Sequence, residues 1–491
     1  MTPRYLPHFT LSHAHRQPVA VAFDAPAIVS DTGLLTVRDL DQRVGYLADL
    51  ARRLPDPRAQ PFVTHPAEQI LAQQVYQILA DYADCNDAND LRHDPLFQVL
   101  AGAAPAPDQP LACGSTLGRF QYAFTRRQRH LPEEDRPAFG EMYRARTERI
   151  RILNEFLRDT FVRTRAQPPA YVILDIDPTD DPAHGQQALT GYHGYYQQHQ
   201  YFPLLVFDGH SRFPLAAWLR PGTTGGACGA VEVLRQVVTA LRQAAWPQVT
   251  ILVRGDCSLA GPAVYEFCEA EGLLYAFGLA SNAVLQRRTE RALWELEEYY
   301  HFYGRREPHV QRFEVLTDYQ ADTWSRPRRV LCKVERTPQG AQRRFVVTNL
   351  SGQPRGIYLG FYVGRGEVPE QPIDELKNGL DLGRLSAHGF RANAYRMLLH
   401  VVAYGLVVLL REAVAAAVPE VARATVSRLR SRLWKVGAWV ERKGGRVWFH
   451  VAAAWPGREL WQRVQAAVES FAATRTAGGT TAQAATAEVG M

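Results

Sequence analysis

Two short runs constrain this chain more than anything else in it. "AYVILDID" (170–177) and "VTILVRGD" (249–256) are both apolar and rich in β-branched residues, and each ends in an aspartate. Such runs are the pattern of strands buried in a sheet. The first passes straight into "PTDDPAHG", which places four aspartates between Asp175 and Asp181. Two unit charges about 4 Å apart repel by roughly 4 kcal/mol at an effective dielectric near 20. The stretch is therefore either a well-solvated turn or a site where a cation cancels the repulsion.

The segments around these runs predict the sheet. "YFPLLVFDG" and "FPLAAWLRPG", joined by the turn residues Asp208 to Ser211, read as a hairpin. "GAVEVLRQVVTALRQAAW" has Val231, Leu234, Val238 and Leu241 on one helical stripe. After the second aspartate come a helix, "PAVYEFCEAEG", and a further strand, "LLYAFGLA". The order β-β-β-α-β-α-β, three antiparallel strands followed by α/β crossovers, is a ribonuclease-H-like arrangement. In it the first strand is central and the fourth lies beside it, which brings Asp177 and Asp256 together. Two carboxylates at adjacent strand ends make a hard oxygen site suited to Mg²⁺.

At 491 residues the chain is too long for one ordinary core. We expect a mainly helical region over 1–165, whose arginine-studded helical faces could bind DNA, and the first part of the ribonuclease-H-like core over 166–282. A β-rich insertion follows over 283–350, then the second part of the core over 351–420. Residues 421–472 are expected to form a separate C-terminal region, and 473–491 a disordered tail. In the helical region Ser115 is a candidate cap for the helix at "STLGRF".

The net charge of +6 is only mildly basic, but the choice of cation is marked: Lys333, Lys377, Lys435 and Lys443 are the only lysines. Arginine's planar fork suits bidentate phosphate contacts. The six cysteines have no close CxxC pair, which excludes a zinc knuckle and gives no disulfide framework. The N-terminus lacks the apolar core of a signal peptide, and the apolar run Met397 to Leu410 is too short to span a bilayer. A soluble, cytoplasmic protein is expected.

A third carboxylate would complete a two-metal site. Glu367, Glu370, Asp374 and Glu375 in "GFYVGRGEVPEQPIDELKNGLDL" are candidates, with Pro372 marking a helix start. Asp175 shares a strand face with Asp177 and is a competing ligand or a supporting group. Asp180, Asp181 and His184 read as turn residues.

With these motifs in place the chain resembles a DDE transposase of bacterial insertion sequences, in the cut-and-paste group with the Tyr-Arg-Glu-Lys signature. "LDIDPTDDPAHGQQ" resembles the block around the first catalytic aspartate, giving Asp177 and Thr179, and "ILVRGDCS" resembles the second, giving Asp256. "YVGRGEVPEQPIDELK" resembles the signature helix, giving Tyr362, Arg365, Glu370 and Lys377, with one residue more than usual between Arg365 and Glu370. "DYADCNDANDLRHDP", "STLGRF", "FRANAYRMLLHVVAYGL" and "RLRSRLWKVGAWV" also look like family segments, so the resemblance runs from about residue 30 to 455.

The resemblance implies binding of the element's terminal inverted repeats, cleavage, and transfer of the 3′-ends into target DNA. It implies Mg²⁺, with Mn²⁺ as substitute, on Asp177, Asp256 and Glu370. It also implies phosphate contacts by Arg365 and Lys377, DNA contacts by Tyr362, and a homodimer bridging two ends of double-stranded DNA in a bacterial nucleoid. Trp324 stands where similar transposases hold a flipped base, and is otherwise a structural tryptophan. Two other readings stay open: a ribonuclease-H-like nuclease without strand transfer, and a catalytically inactive DNA-binding relative.

Overall fold

The structure, a computed structural model, describes residues 8–11, 19–56, 58, 60–122, 139–165, 167–183, 185–244, 246–304, 306–365 and 372–471. Both aspartate-tipped runs are strands of one eight-stranded mixed sheet. Its strands are β1 (Tyr171–Pro178), β2 (Leu204–Asp208), β3 (Pro214–Trp218), β4 (Thr250–Gly255), β5 (Leu274–Leu279), β6 (Val310–Tyr319), β7 (Arg328–Thr337) and β8 (Gly340–Thr348). They lie in the order β6-β7-β8-β5-β4-β1-β2-β3. β4 runs parallel to both β1 and β5, and every other neighbouring pair is antiparallel. The apolar runs are thus central because they are paired on both sides, and their side chains are buried where the sequence is continuously hydrophobic.

The parallel neighbours need crossovers, and helices supply them: Ala230–Ala244 between β3 and β4, and Pro262–Ala270 between β4 and β5. Gly272 ends the second crossover with a left-handed φ of 62°, a conformation that glycine adopts without a Cβ penalty. Residues 283–303 are two helices, Ala283–Arg288 and Glu290–Tyr303. The three strands after them do not form a separate unit; β8 pairs with β5 and extends the large sheet.

The long helices Phe139–Arg163 and Phe390–Val414 pack together and against β3. Asn154 of the first accepts from the Ala217 amide at 2.8 Å and donates to the Ala217 carbonyl, which satisfies an edge-strand residue inside the core. Phe390–Val414 is long and apolar enough to cross a membrane, yet 83% of its most apolar window is buried within the protein. Its His400 donates from Nδ1 to the Leu380 carbonyl (2.8 Å), and burial pushes this imidazole down to about 3.

Near the N-terminus, the helix at "STLGRF" begins at Gly114, one residue before the expected cap, so Ser115 lies in the first turn and faces the Cys113 sulfur at 3.2 Å. A separate three-stranded sheet joins the hairpin β9 (Ala438–Lys443) and β10 (Arg446–Val451) to the short strand Ile28–Val29. The stretch 473–491, read from sequence as a disordered tail, lies outside the described residues.

Candidate active site

The last ladder pair between the two central strands is Gly255 with Ile176. Asp256 and Asp177 are the next residues on each strand, so their backbones stand about one strand spacing apart, roughly 4.8 Å. By alternation they share a sheet face with Asp175 and Arg254. Both aspartates are half-buried. Asp177 lies opposite Leu205 of β2. Asp256 is held by its own turn: its Oδ1 accepts from the Ser258 amide (2.9 Å) and from the Ser258 hydroxyl (2.6 Å). That fixes the carboxylate at the strand end instead of leaving it to rotate.

Asp175 has a different partner. Arg254 donates to it from Nε (2.5 Å) and Nη2 (2.9 Å), a bidentate fork, and the guanidinium is 5% exposed. The same arginine donates from Nη1 to the Phe361 carbonyl (2.6 Å) and lies 5.3 Å from the Phe361 ring. Arg254 thus ties β1 and β4 to the segment Gly356–Tyr362. The space it occupies is reserved by two glycines, since a Cβ at Gly209 would sit 2.9 Å from Nη2 and one at Gly364 3.3 Å from Nη1. An arginine inside an apolar strand is the sequence signal that this pair left, because a buried guanidinium requires a partner.

Gly356–Tyr362 and Glu375–Gly379 are π-helical, and the described residues Pro372–Asp374 are α-helical. Pro372, the expected helix start, lies in that α-helical piece, and residues 366–371 before it lie outside the described residues. π-turns are frequent at functional sites. Glu370, Glu367 and His184 lie outside the described residues. Of the other two candidate acids, Asp374 is exposed and accepts from Asn378 (2.6 Å). Glu375 is buried in a fork with Arg411 (2.5 and 2.7 Å) and accepts the Val426 amide at 3.3 Å, so it is committed to packing. Among the described residues no group of three or more His, Cys, Asp and Glu side chains is disposed to hold a metal ion. The donor set that Asp177 and Asp256 present nonetheless fits a hard divalent cation.

Lys377 Nζ lies 2.7 Å from Asp180 Oδ1, and the other oxygen of Asp180 accepts from Gln198 (3.1 Å). Next to it Asp181 is buried, and burial pushes its carboxyl up to about 7, against the lowering effect of Lys377. Asp180 and Asp181 are therefore not simply solvated turn residues, as the sequence alone suggests.

Tyr362 lines a cleft of about 450 Å³ with Asp256, Tyr358, Lys333, Arg343 and Arg344. The cleft joins the Asp256 end of β4 to the β7–β8 hairpin, and Arg343 and Arg344 in it are residues that sequence reasoning had not singled out. Arg365 ends the turn Val363–Arg365. Trp324 is 6% exposed, meeting Tyr265 and Tyr319 edge-on at 5.4 and 5.3 Å, with the Arg328 guanidinium 5.5 Å from its ring. In this arrangement it is a core residue and not a platform for a base.

A family model described as "Transposase DDE domain group 1" matches residues 11–473. No curated protein matches the chain. Among solved structures, a piggyBac transposase synaptic complex with hairpin DNA is similar over 91% of this chain and 82% of that chain, at 11% identity and a TM-score of 0.41.

Proposed function

Because this chain belongs to the transposase family of DDE domain group 1, we propose that it excises and inserts the insertion sequence that encodes it. In this reading it binds the terminal inverted repeats, hydrolyses phosphodiesters at the element's ends, and joins the freed 3′-hydroxyls to target DNA. The observation that carries the reading is that Asp177 and Asp256 each follow directly on Ile176 and Gly255, the last ladder pair of the parallel strands β1 and β4. The strand order β3-β2-β1-β4-β5, with β2 reversed, supports a ribonuclease-H-like core.

Asp177, Asp256 and Glu370 would hold divalent cation, Mg²⁺ or Mn²⁺. When bound, the metal lowers the pKa of a nucleophilic hydroxyl and stabilises the leaving oxygen. The chain's own contribution is positioning. Ser258 fixes the Asp256 carboxylate, and the Arg254–Asp175 fork holds the β1–β4 floor against the segment that leads to Glu370. In hydrolysis the water oxygen bonds to phosphorus as the bridging 3′-oxygen leaves. In transfer that 3′-hydroxyl attacks a target phosphodiester in the same way, displacing the target's own 3′-oxygen.

Phosphates approach from the cleft carrying Lys333, Arg343 and Arg344, with Tyr362 on its wall. Arg365 and Lys377 contact the cleaved end. The helical region 1–165 and the C-terminal region 421–472 supply end recognition and the homodimer that holds two ends together, in the cytoplasm of a bacterium.

The test is metal-dependent cleavage of a plasmid carrying the gene with its native flanks, wild type beside Asp256→Ala. Cuts at the element's ends that vanish in the variant, while DNA binding persists, are the expected result. End cleavage that survives in both Asp256→Ala and Asp177→Ala would overturn the assignment. Cut ends that never become joined would favour a plain nuclease.

A further inference from the structure

The hairpin β9–β10 carries a surface that the catalytic reading does not use. Its inner face, with Val440, Phe449 and Val451, packs on the core. Cross-strand register places Trp439 opposite His450, Glu441 opposite Trp448, and Lys443 opposite Arg446, all on the outer face. The rings there form a shelf: Trp439 stacks on His450 at 3.9 Å and 11°, and Trp448 lies 6.1 Å from His450 at 19°. The indoles are 40% and 45% exposed. Gly444 and Gly445, with φ of 60° and 72°, close the hairpin in a two-residue turn that only residues tolerant of positive φ can make, so the tip is thin.

The charges at that tip are disposed against stability. Lys443 and Arg446 are exposed, lie directly opposite each other, and form no ion pair among the described residues. Like charges at directly opposed strand positions repel. Glu441, the carboxylate on this face, is turned to His450 at 3.4 Å. An anion bridging the two cations would remove the penalty, and arginine binds phosphate with a planar fork.

We propose that β9–β10 is a DNA-contacting ribbon whose tip cations clamp backbone phosphates of duplex DNA while the Trp439–His450–Trp448 shelf packs on the adjoining sugars. A two-stranded ribbon is narrow enough for the major groove. A second copy of this chain docking symmetrically on the same face would set Lys443 and Arg446 against their own counterparts, so charge favours the polyanion. The proposal rests on the transposase reading but concerns a surface on a different sheet from Asp177 and Asp256.

The experiment is fluorescence anisotropy across a salt series with two labelled duplexes, one from the gene's flanking DNA and one unrelated. The full chain is compared with Arg446→Glu and with the double variant Lys443→Gln/Arg446→Gln. Both should bind each duplex more weakly. The slope of log affinity against log salt should fall by about 0.9 for each phosphate no longer neutralised, roughly 1.8 in the double variant. Arg446→Glu creates an opposite-charge pair with Lys443, so its unfolding temperature should hold or rise, which separates weakened binding from a damaged fold. Unchanged affinity and slope in both variants overturn the ribbon, as does loss of self-association with DNA affinity intact, which assigns the face to a second copy. A wild-type chain that binds neither duplex overturns the transposase reading itself and the ribbon with it, whereas failure of the ribbon alone leaves end cleavage untouched.

Discussion

Lys377 Nζ and Asp180 Oδ1 are 2.7 Å apart, which docks the lysine of the signature segment onto the acidic turn three residues beyond Asp177. The pair is partly exposed, so its own stabilisation is about 1 kcal/mol at most. Its consequence is placement: the ammonium is held beside Asp180 and Asp181, carboxylates that a phosphate must displace.

Asp180→Asn should therefore leave the unfolding temperature nearly unchanged and tighten binding of end DNA, because Lys377 no longer has to exchange a carboxylate for a phosphate. Lys377→Ala should weaken binding and lower the salt slope by about one. Anisotropy titrations on both variants check this. An Asp180→Asn protein that binds less tightly would show that Asp180 positions Lys377 instead of competing for it.

Arg254→Met leaves Asp175 charged in a nearly dry setting, and breaking a buried pair on one side costs about 3–5 kcal/mol. The double variant Asp175→Leu/Arg254→Met should recover most of that loss in urea denaturation. It should not recover end cleavage, because the Phe361 carbonyl still lacks its donor and the signature segment loses its anchor. Full activity in a stable double variant would reduce the fork to a packing element.

Gly255 sits immediately before Asp256 with no room for a side chain. A Cβ there would lie 2.7 Å from Leu259 Cδ1, 3.0 Å from the Ile176 carbonyl and 3.1 Å from Phe277. Leu259 can move, but the carbonyl belongs to the residue before Asp177. Gly255→Ala should cost about 1–3 kcal/mol through overpacking. It should lower metal-dependent cleavage further than this stability loss explains, because it wedges β4 from β1 where the aspartates meet. Cleavage assayed well below the unfolding temperature makes the distinction.

Asp181 gives a pH dependence of definite sign. Its folded carboxyl titrates near 7, against 3.8 ordinarily, because burial disfavours the anion. Between those values the folded state holds a proton that the unfolded state has released. The contribution to stability is therefore complete below pH 3.8 and is lost as pH rises through about 7, at roughly 1.4 kcal/mol per unit. Asp181→Asn should flatten the fall in urea midpoint between about pH 4 and 7 and should stabilise the protein at the alkaline end. A variant whose pH profile parallels wild type would place that titration elsewhere.

How much of this was legible beforehand depends on the range of the interaction. The strand runs 170–177 and 249–256, the crossover helix 230–244 and the buried helix 390–414 follow from local hydrophobic pattern, which is written residue by residue. So does the adjacency of Asp177 and Asp256, because a parallel pair joined through a helix has few ways to close. The contacts that sequence reasoning did not foresee, Arg254 on Asp175, Lys377 on Asp180 and Arg411 on Glu375, join positions 79, 197 and 36 residues apart. No periodicity encodes them.

What the sequence by itself determined, then, is which segments must be buried and which carboxylates end the central strands, since burial of apolar surface is a local property of composition and spacing. The partner of each charge was decided only by the tertiary structure. Glu375 was one of four candidates for the third acid, beside the favoured Glu370, until folding set it against Arg411 and the Val426 amide. Trp324 could stack on a base until Tyr265 and Tyr319 met its ring edge-on. A charge or a ring takes its role from what lies within a few ångströms of it, and that neighbourhood exists only after distant segments have packed.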